Sequence, residues 1–422
     1  MNISVLGEAR YPSPLDYHVS DKARVPFSVI VDPDAPPKKE LLFEIAGPRE
    51  KLFFDPKKVR AGIVTCGGLC PGLNNVIRSL VLQLYHGYGV REILGFTNGY
   101  QGLDPWRGSE PIPLTPEFVE DIHKEGGTVL NTARGPVDVS AAVDNLIRRK
   151  VDMLFVVGGD GTQRGGAELF EEARSRGHAL AVVGVPKTID NDVAFVTRTF
   201  GYVTAVEEAA KAITCAHTEA HSVHNGISLV KIMGRHAGFI AAGATVANQD
   251  VNFTLVPEVP FVLDGEGGFL VALKERMLRR AHAVILVAEG AGQHLMTGGE
   301  DKYDASGNLK SKDIGIFLRE RIETYFKAEG IPFALRYFDP SYMIRSVPAC
   351  ADDAVLCDFY ARNAVHAAMA GKTGLVIGQH HGVFTHVPIS LLAGQKKQLD
   401  LNSPDWLGVL ASTGQSFAQF PA

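Results

Sequence analysis

The sequence lacks the features that would attach it to a membrane, a nucleic acid or a secretion pathway. Its 422 residues contain no run of eighteen uncharged apolar residues, and no basic segment followed by an apolar one opens the chain. Neither a membrane span nor a secretion signal is therefore predicted. The net charge of -5 gives no basic field that would attract nucleic acid. We expect a cytoplasmic protein whose anion sites are built locally.

Cysteine is also scarce, and its distribution excludes some chemistry. An odd number of scattered cysteines predicts reduced thiols rather than a disulfide framework. Cys66 and Cys70 have the spacing of a metal pair, but no second pair at zinc-site spacing follows, so we disfavour a metal site there. The histidines, including His380 and His381, lack the helix-face spacing of metal ligands and are interpreted as surface or structural residues. The five cysteines are Cys66, Cys70, Cys215, Cys350 and Cys357.

What the chain does contain is the alternation of an α/β protein. Residues 1–57 are rich in proline and show little periodicity, which predicts an arm that packs on the main body or on a neighbouring subunit. From Ala61 onward, short apolar runs alternate with amphipathic stretches, as in parallel strands joined by crossover helices. A helix is predicted from apolar residues at three- and four-residue steps after Leu73, with Pro71 in its first turn. The predicted buried strands are 61–65, 153–157, 180–184, 227–233, 252–256, 283–288 and 374–378.

Three segments place glycines and polar residues directly after predicted strands, where open α/β sheets form their ligand sites. The first runs from Gly67 to Asn74, and its small residues let backbone N–H groups and a helix start approach an anion. A phosphate cradle or a plain strand-to-helix turn both fit it. A Walker ATPase is disfavoured because Leu73 and Asn74 replace the usual Lys and Ser/Thr, and Gly371-Lys372-Thr373 lacks the first glycine.

The second segment is Gly158-Gly159-Asp160-Gly161-Thr162, followed by Gln163. A carboxylate among glycines at a strand end can hold Mg²⁺ while the neighbouring backbone receives phosphates. An aspartate that merely caps a helix is the structural alternative.

The third segment, from Pro186 to Asp192, is the most specific. It places Lys187, Thr188, Asp190 and Asp192 within seven residues after a buried strand. One carboxylate can accept the proton of an attacking hydroxyl while the other orients the site or its metal, and a positioned base contributes roughly 10²–10⁴ in rate. A capped polar loop is the alternative without function.

With these segments, the chain resembles the phosphofructokinase family over residues 58 to 390. The resemblance implies two Rossmann-like three-layer lobes with mainly parallel sheets and an active site in the cleft between them, plus the N-terminal arm. The implied domains are the arm (1–57), a nucleotide-binding lobe (58–201, with a return segment at about 345–390), a fructose 6-phosphate-binding lobe (202–344) and a C-terminal segment (391–422). Further family motifs begin at Gly99 (GYQGL), Met233 (MGR), Pro257 (PEVP), Ala288 (AEGAG) and Tyr342 (YMIR).

The resemblance also implies roles for residues of the reacting end. Asp190 is the expected base for the C1 hydroxyl, Asp160 helps to hold Mg²⁺, and Thr188 and Asp192 complete the site. Arg134 meets the transferring phosphoryl group, where a guanidinium stabilises the developing charge. The remaining residues expected to bind the phosphoryl donor are Gly67, Gly68, Gly159, Gly161, Thr162 and Gln163.

For the sugar phosphate, the resemblance implies contacts on a later part of the chain. Some of these contacts come from a neighbouring subunit in the family, so an active homo-oligomer, a dimer or a tetramer, is expected. One family arginine falls near Gly226 here, and its replacement stays unassigned, with His224 and Lys231 as candidates. The expected sugar-phosphate residues are Thr188, Asp190, Asp192, Met233, Gly234, Arg235, Glu289, Arg336, Tyr342 and Arg345.

Two positions point to different phosphoryl donors. Gly161 resembles ATP-dependent members, whereas Lys187 is typical of pyrophosphate-dependent ones. An aspartate at position 161 would repel the α-phosphate of ATP by about 4 kcal/mol at 4 Å and an effective dielectric near 20. Lys187, being cationic and flexible, excludes ATP much less forcefully. We therefore predict that ATP is the phosphoryl donor and that the enzyme acts in glycolysis. The segment from Gly184 to Gln293 most resembles the plant and trypanosomatid ATP-dependent enzymes.

Three other functions are compatible with parts of the same pattern. A pyrophosphate-dependent phosphotransferase keeps the same base and sugar site. An NAD or lipid kinase shares the Gly-Gly-Asp-Gly-Thr segment but would lack the cluster from Thr188 to Asp192. A non-catalytic regulatory subunit would bind sugar phosphate but is expected to have lost Asp160 or Asp190, and both are present.

Overall fold

The computed structural model describes residues 2–30, 40–135, 137–296 and 311–415. Parts of the predicted arm and of the predicted C-terminal segment lie outside these residues. The strands are β1 (Ser4–Val5), β2 (Tyr11–Pro12), β3 (Arg24–Pro26), β4 (Leu42–Ile45), β5 (Lys51–Leu52), β6 (Arg60–Thr65), β7 (Glu92–Phe96), β8 (Ile112–Pro113), β9 (Met153–Gly158), β10 (Ala181–Pro186), β11 (Gly226–Ile232), β12 (Phe253–Leu255), β13 (His282–Ala288), β14 (Ala334–Phe338), β15 (Lys372–Thr373), β16 (Leu375–His380) and β17 (Val383–Pro388). The helices are α1 (Leu73–Leu82), α2 (Val139–Arg148), α3 (Asp160–Ser175), α4 (Tyr202–His221), α5 (Phe239–Asn248), α6 (Phe269–Arg280), α7 (Ile314–Ala328), α8 (Ala351–Met369) and α9 (Pro404–Thr413).

The chain divides into two compact units. Unit 1 comprises Met1–Thr188, Val193–Gly201 and Ser346–Lys396, and unit 2 comprises Ile189–Asp192, Tyr202–Arg345 and Lys397–Ala422. Each unit is built on a sheet whose central strands are parallel, so the predicted α/β class with two Rossmann-like lobes is confirmed. No helix within the described residues is long and apolar enough to cross a membrane.

Unit 1 contains a nine-stranded sheet in the order β3-β4-β17-β16-β10-β9-β6-β7-β8. The central pairs from β16 to β7 are parallel, and the strands at both edges run antiparallel. Strands β9 and β10 are buried along their whole length, as parallel strands covered on both faces must be. The carboxyl ends of β6, β9 and β10 are therefore neighbours.

Unit 2 contains a four-stranded parallel sheet in the order β12-β13-β11-β14. Strand β11 pairs with β13 over its full length, and Ile232 lies opposite Ala288. Helices α6 and α7 bury apolar faces in the core that covers this sheet, with Leu273 and Leu318 fully buried. The loops that leave β11 and β13 consequently lie side by side.

The predicted apolar strands are all present, but the predicted position of Pro71 in the first turn of a helix was wrong. Pro71 precedes helix α1, because Gly72 occupies the N-cap position with a φ of 97°. The proline-rich arm contributes β3 and β4, which extend the edge of the nine-stranded sheet beside β17. Its prolines suit such an edge, where one row of N–H groups needs no partner.

Candidate active site

Residues predicted to bind the phosphoryl donor lie in unit 1, and all but Arg134 follow the carboxyl end of β6 or β9. The turn after β6 contains Gly67 and Gly72, both with a positive φ that favours glycine. A side chain at Gly72 would place its Cβ 2.5 Å from the sulfur of Cys357. Close packing against α8 therefore requires glycine at this position.

Lys187, just after β10, is tied to this glycine turn. Its ammonium donates a hydrogen bond to the carbonyl of Gly68 at 2.6 Å, and the residue is only 6% exposed. The expectation of a flexible lysine is thus corrected, because a buried ammonium must be held by acceptors. A Cβ at Gly67 would lie 3.4 Å from the same nitrogen.

Arg134 lies on a segment that hydrogen bonds hold beside the same turn. The hydroxyl of Thr132 donates to the carbonyl of Gly67 at 2.8 Å, and the N–H of Gly67 donates to the carbonyl of Ala133 at 3.3 Å. These contacts place the backbone that carries Arg134 next to the predicted phosphate cradle. Sequence reasoning did not identify Thr132 as a supporting residue, although it stands two positions before Arg134.

Helix α3 begins directly after β9. Gly159 is its N-cap, Asp160 is its first residue and Gly161 follows. The amino end of a sixteen-residue helix attracts anions through its partial positive charge and its exposed N–H groups. A Cβ built on Gly161 meets no atom within 4 Å. The protein's own packing therefore does not demand glycine here.

Two buried side chains support the start of α3. The amide nitrogen of Gln163 donates to the carbonyl of Gly158 at 2.8 Å and to that of Val185 at 3.3 Å, which joins the ends of β9 and β10. The hydroxyl of Tyr100 donates to the carbonyl of Thr162. The Gly-Tyr-Gln-Gly-Leu motif thus packs against α3, and the predicted donor contact of Gln163 stays a prediction.

The carboxylate segment, residues 188–192, crosses from unit 1 to unit 2. The hydroxyl of Thr199 donates to the carbonyl of Thr188 at 2.7 Å, which fixes the start of the segment. Asn191 adopts a left-handed conformation with a φ of 55°. Asparagine tolerates this conformation, and Asn191 is the residue between the two aspartates, Asp190 and Asp192. The Oδ1 atom of Asp190 is buried from solvent.

The structure places most of the predicted sugar-phosphate residues of unit 2 near the carboxyl ends of β11 and β13. Met233, Gly234 and Arg235 follow β11, and Glu289 follows β13. The N–H of Gly290 donates to the carbonyl of Gly234 at 3.1 Å. A side chain at Gly290 would place its Cβ 1.9 Å from the carbonyl oxygen of Arg235. The two loops therefore touch through backbone, which glycine alone permits.

Glu289 experiences a mixed electrostatic environment. Burial raises the pKa of its carboxyl group, while the positive charges of Arg235, Lys231 and Arg345 act in the opposite direction. The guanidinium of Arg345 lies 4.8 Å from the ring centroid of Tyr342. Unit 2 thus brings cations and a carboxylate together, as recognition of a sugar phosphate requires.

Lys231, a candidate to replace the family arginine that falls near Gly226, contacts two carboxylates. Its ammonium lies 3.0 Å from Asp313 and 2.8 Å from Asp339. Burial acts to lower the pKa of Lys231, but the hydrogen bonds that its ammonium donates to Asp339 and Asp313 outweigh burial and raise the pKa. Lys231 therefore serves a carboxylate pair that sequence reasoning did not identify.

Two predicted positions lie away from Met233. Gly226 begins β11, and a side chain there would place its Cβ 2.1 Å from the carbonyl oxygen of Ala220, so no arginine fits. Arg336 on β14 lies opposite Ser228, five residues and about 16 Å along β11 from Met233. Its guanidinium lies 3.7 Å from Glu219. Within one chain, Arg336 therefore lies apart from the predicted sugar-phosphate residues that follow β11 and β13.

Metal ligands are few in the part of the chain that the structure describes. No group of three or more His, Cys, Asp and Glu side chains could hold a metal ion there. Asp160 at the start of α3 fits Mg²⁺, which binds through one or two carboxylates, substrate phosphates and water. All five cysteines are free, as predicted. His380 is buried and stacked on Phe43, which fits the predicted structural role.

One α/β unit has a long helix that begins directly after a strand among glycines, and the other has carboxylates and arginines near its strand ends, features typical of enzymes that transfer phosphoryl groups. The phosphofructokinase family model matches residues 60–368. The chain belongs to the phosphofructokinase family.

Similar proteins cover nearly the whole chain. It is 47% identical to the ATP-dependent 6-phosphofructokinase of Borreliella burgdorferi, covering 98% of this chain and 96% of that protein. It is 45% identical to ATP-dependent 6-phosphofructokinase 7 of Arabidopsis thaliana, covering 96% of this chain and 85% of that protein. The predicted resemblance to plant and trypanosomatid ATP-dependent enzymes is confirmed by relatives of these names.

A solved structure shares the fold. The pyrophosphate-dependent phosphofructokinase of Marinobacter aquaeolei superposes with a TM-score of 0.69 at 19% identity, over 86% of this chain and 93% of that one. At this identity the likeness establishes the fold alone.

Proposed function

We propose that the chain is an ATP-dependent 6-phosphofructokinase, which transfers the γ-phosphoryl group of ATP to the C1 hydroxyl of fructose 6-phosphate. An enzyme of the phosphofructokinase class follows from the family and from near-full-length relatives of that name. The observation that carries ATP as donor is the open space at Gly161 in the first turn of α3. An α-phosphate can occupy that space without meeting a carboxylate.

The proposed mechanism assigns chemistry to residues at strand ends. Asp190 accepts the proton of the C1 hydroxyl as this oxygen attacks the γ-phosphorus, and Thr188 and Asp192 orient the reacting groups. Arg134 stabilises charge on the transferring phosphoryl group. Asp160 would hold Mg²⁺, which supplies charge neutralisation at the phosphates when bound.

Fructose 6-phosphate is assigned to unit 2. The Glu289 carboxylate accepts hydrogen bonds from sugar hydroxyls, beside the loop of Met233, Gly234 and Arg235. Arg345 and Tyr342 are assigned to the 6-phosphate. Arg336 is assigned to the site of a neighbouring subunit, because it lies far from Met233 along β11. The active form in this proposal is a homo-oligomer.

Pyrophosphate is the alternative donor, and one observation favours it. Lys187 places a buried ammonium at the glycine turn, where a compact polyanion would meet it. The test is to incubate the protein with fructose 6-phosphate, ATP and Mg²⁺ and to measure fructose 1,6-bisphosphate and ADP. The proposal expects equal amounts of the two products and no reaction with excess EDTA. Failure to form either product would contradict it.

A further inference from the structure

The chain after Leu392 bonds to the carboxylate segment. Lys396 forms an isolated antiparallel bridge with Val193. The N–H of Lys397 donates a hydrogen bond to the carbonyl of Asp192 at 3.0 Å. Lys396 and Lys397 therefore hold the backbone of Asp192 and Val193, although the two pairs are far apart in the sequence.

The next two residues bond to the loop that carries the predicted sugar contacts. The N–H of Leu399 donates to the Glu258 carboxylate at 2.9 Å, and the same carboxylate accepts the N–H of Gly238 at 2.9 and 3.1 Å. The amide of Gln398 donates to the carbonyl of His236 at 3.4 Å. We call residues 397–399 the C-terminal brace. It connects Asp192 to the loop that continues from Met233.

The side chain of Lys397 adds a charge to this brace. Its ammonium lies 5.1 Å from the ring centroid of Phe239, a cation–π contact at the start of α5. Burial lowers the pKa of Lys397 to about 7, while the negative charges of Asp192 and Asp405 act in the opposite direction. The Asp192 carboxylate and the Lys397 ammonium thus interact at the point where the brace meets the carboxylate segment.

We propose that Lys397 is a positioning residue of the phosphoryl transfer, which orients the Asp192 carboxylate while the C-terminal brace holds its backbone in register with loop 233–238. Lys397 acts through Asp192 and not on the transferred group. The inference rests on the proposed function, because the reaction reveals its effect. It assigns a role to Glu258 as well, as the acceptor shared by the brace and by Gly238.

The test compares Lys397→Met with Lys396→Met, which removes an exposed lysine from the adjacent position. Lys397→Met is expected to lower kcat about 10-fold to 100-fold, since small misplacements of reacting groups cost rates of this order. The KM for ATP should stay within about 2-fold, because the residues assigned to the donor belong to unit 1. Lys396→Met should retain both constants within about 2-fold.

The wild-type rate in the same assay tests the proposed function separately. An active wild type with equal kcat values for the two methionine variants would overturn the role of Lys397 alone. If Lys397→Met does not fold, Lys397→Arg decides, because it keeps the charge. A kcat within about 5-fold of wild type at an unchanged melting temperature supports the proposal, and a larger loss at that temperature overturns it.

A double-variant cycle gives a second readout. If Lys397 acts through Asp192, adding Lys397→Met to Asp192→Asn should lower kcat little further, because the residue through which it acts has already changed. Full multiplication of the two single effects would contradict the proposal. A lysine that only packs against Phe239 would show such independence.

Discussion

Asp190 is the residue on which the proposed chemistry depends most directly. Its Oδ1 atom is buried, which keeps solvent from competing for the proton that the base accepts. Asp190→Asn is expected to leave the affinity for fructose 6-phosphate within several-fold but to lower kcat at least about 10²-fold. Steady-state kinetics with direct measurement of sugar-phosphate binding checks both. A near-normal kcat would show that Asp190 is not the base that accepts the C1 hydroxyl proton.

Gly161 is the residue to which the proposed function assigns the choice of donor. Gly161→Asp should weaken ATP use far more than pyrophosphate use, because the new carboxylate repels the α-phosphate by about 4 kcal/mol at 4 Å and an effective dielectric near 20. Since a Cβ at this position meets no protein atom within 4 Å, the melting temperature should change little. The ratio of kcat/KM for the two donors is the measurement. An unchanged ratio would contradict the electrostatic argument.

At the scale of elements, a charge network links the N-terminal arm to β15 and β17, and its Glu44 carboxylate is buried whereas Asp21 is largely exposed. Arg49 donates to Glu44 at 2.9 Å and to Asp21 at 2.8 Å. Lys372 contacts the same two carboxylates at 2.7 and 2.9 Å. Burial acts to raise the pKa of Glu44 because it disfavours the charged carboxylate. The hydrogen bonds that His386 and Lys372 donate outweigh this effect and hold the pKa of Glu44 well below its usual range.

Removing one cation from this network should destabilise the chain. Arg49→Met is expected to lower the free energy of unfolding by about 3–5 kcal/mol, because it leaves the buried Glu44 carboxylate with less compensation. Arg10→Met, which removes an exposed ion pair with Glu8, should change it by about 1 kcal/mol at most. Denaturant unfolding of both variants is the measurement. Equal effects would show that the arm does not depend on buried charge.

Sequence patterns predicted the elements that are buried and missed those that are not. Strands β9 and β10 read as unbroken apolar runs because both faces are covered. Strand β14 has no fully buried residue, and β3 and β4 lie in a proline-rich edge, so neither gives an apolar run. The three glycine- and carboxylate-containing segments could be found because each follows a buried strand, whereas the other motif residues were implied by the family resemblance. Lys397 could not, since its contact with Asp192 depends on long-range folding that no local pattern records.

At the scale of the whole molecule, Arg336 is the residue that links the proposed active site to a neighbouring subunit. Because this residue lies about 16 Å along β11 from Met233, its proposed substrate contact is in a neighbouring subunit. Arg336→Met should raise the KM for fructose 6-phosphate about 10-fold or more, as loss of a charge-assisted phosphate contact does.

Mixing two variants that are each impaired at low fructose 6-phosphate tests the shared site. Hybrids of Asp190→Asn and Arg336→Met subunits, unfolded and refolded together, should recover activity at low fructose 6-phosphate. Such a hybrid contains sites with Asp190 from one chain and Arg336 from the other. Each variant refolded alone is the control. No recovery in hybrids, with mixed oligomers present by mass, would place Arg336 outside a neighbouring site.

The central claim is that this family member uses ATP because position 161 is open to its α-phosphate. The most direct measurement is the initial rate of fructose 1,6-bisphosphate formation from fructose 6-phosphate and Mg²⁺, with ATP and pyrophosphate supplied in parallel. The account predicts turnover with ATP and little or none with pyrophosphate. Turnover with pyrophosphate alone would contradict it, and would assign the donor choice to the buried Lys187 instead.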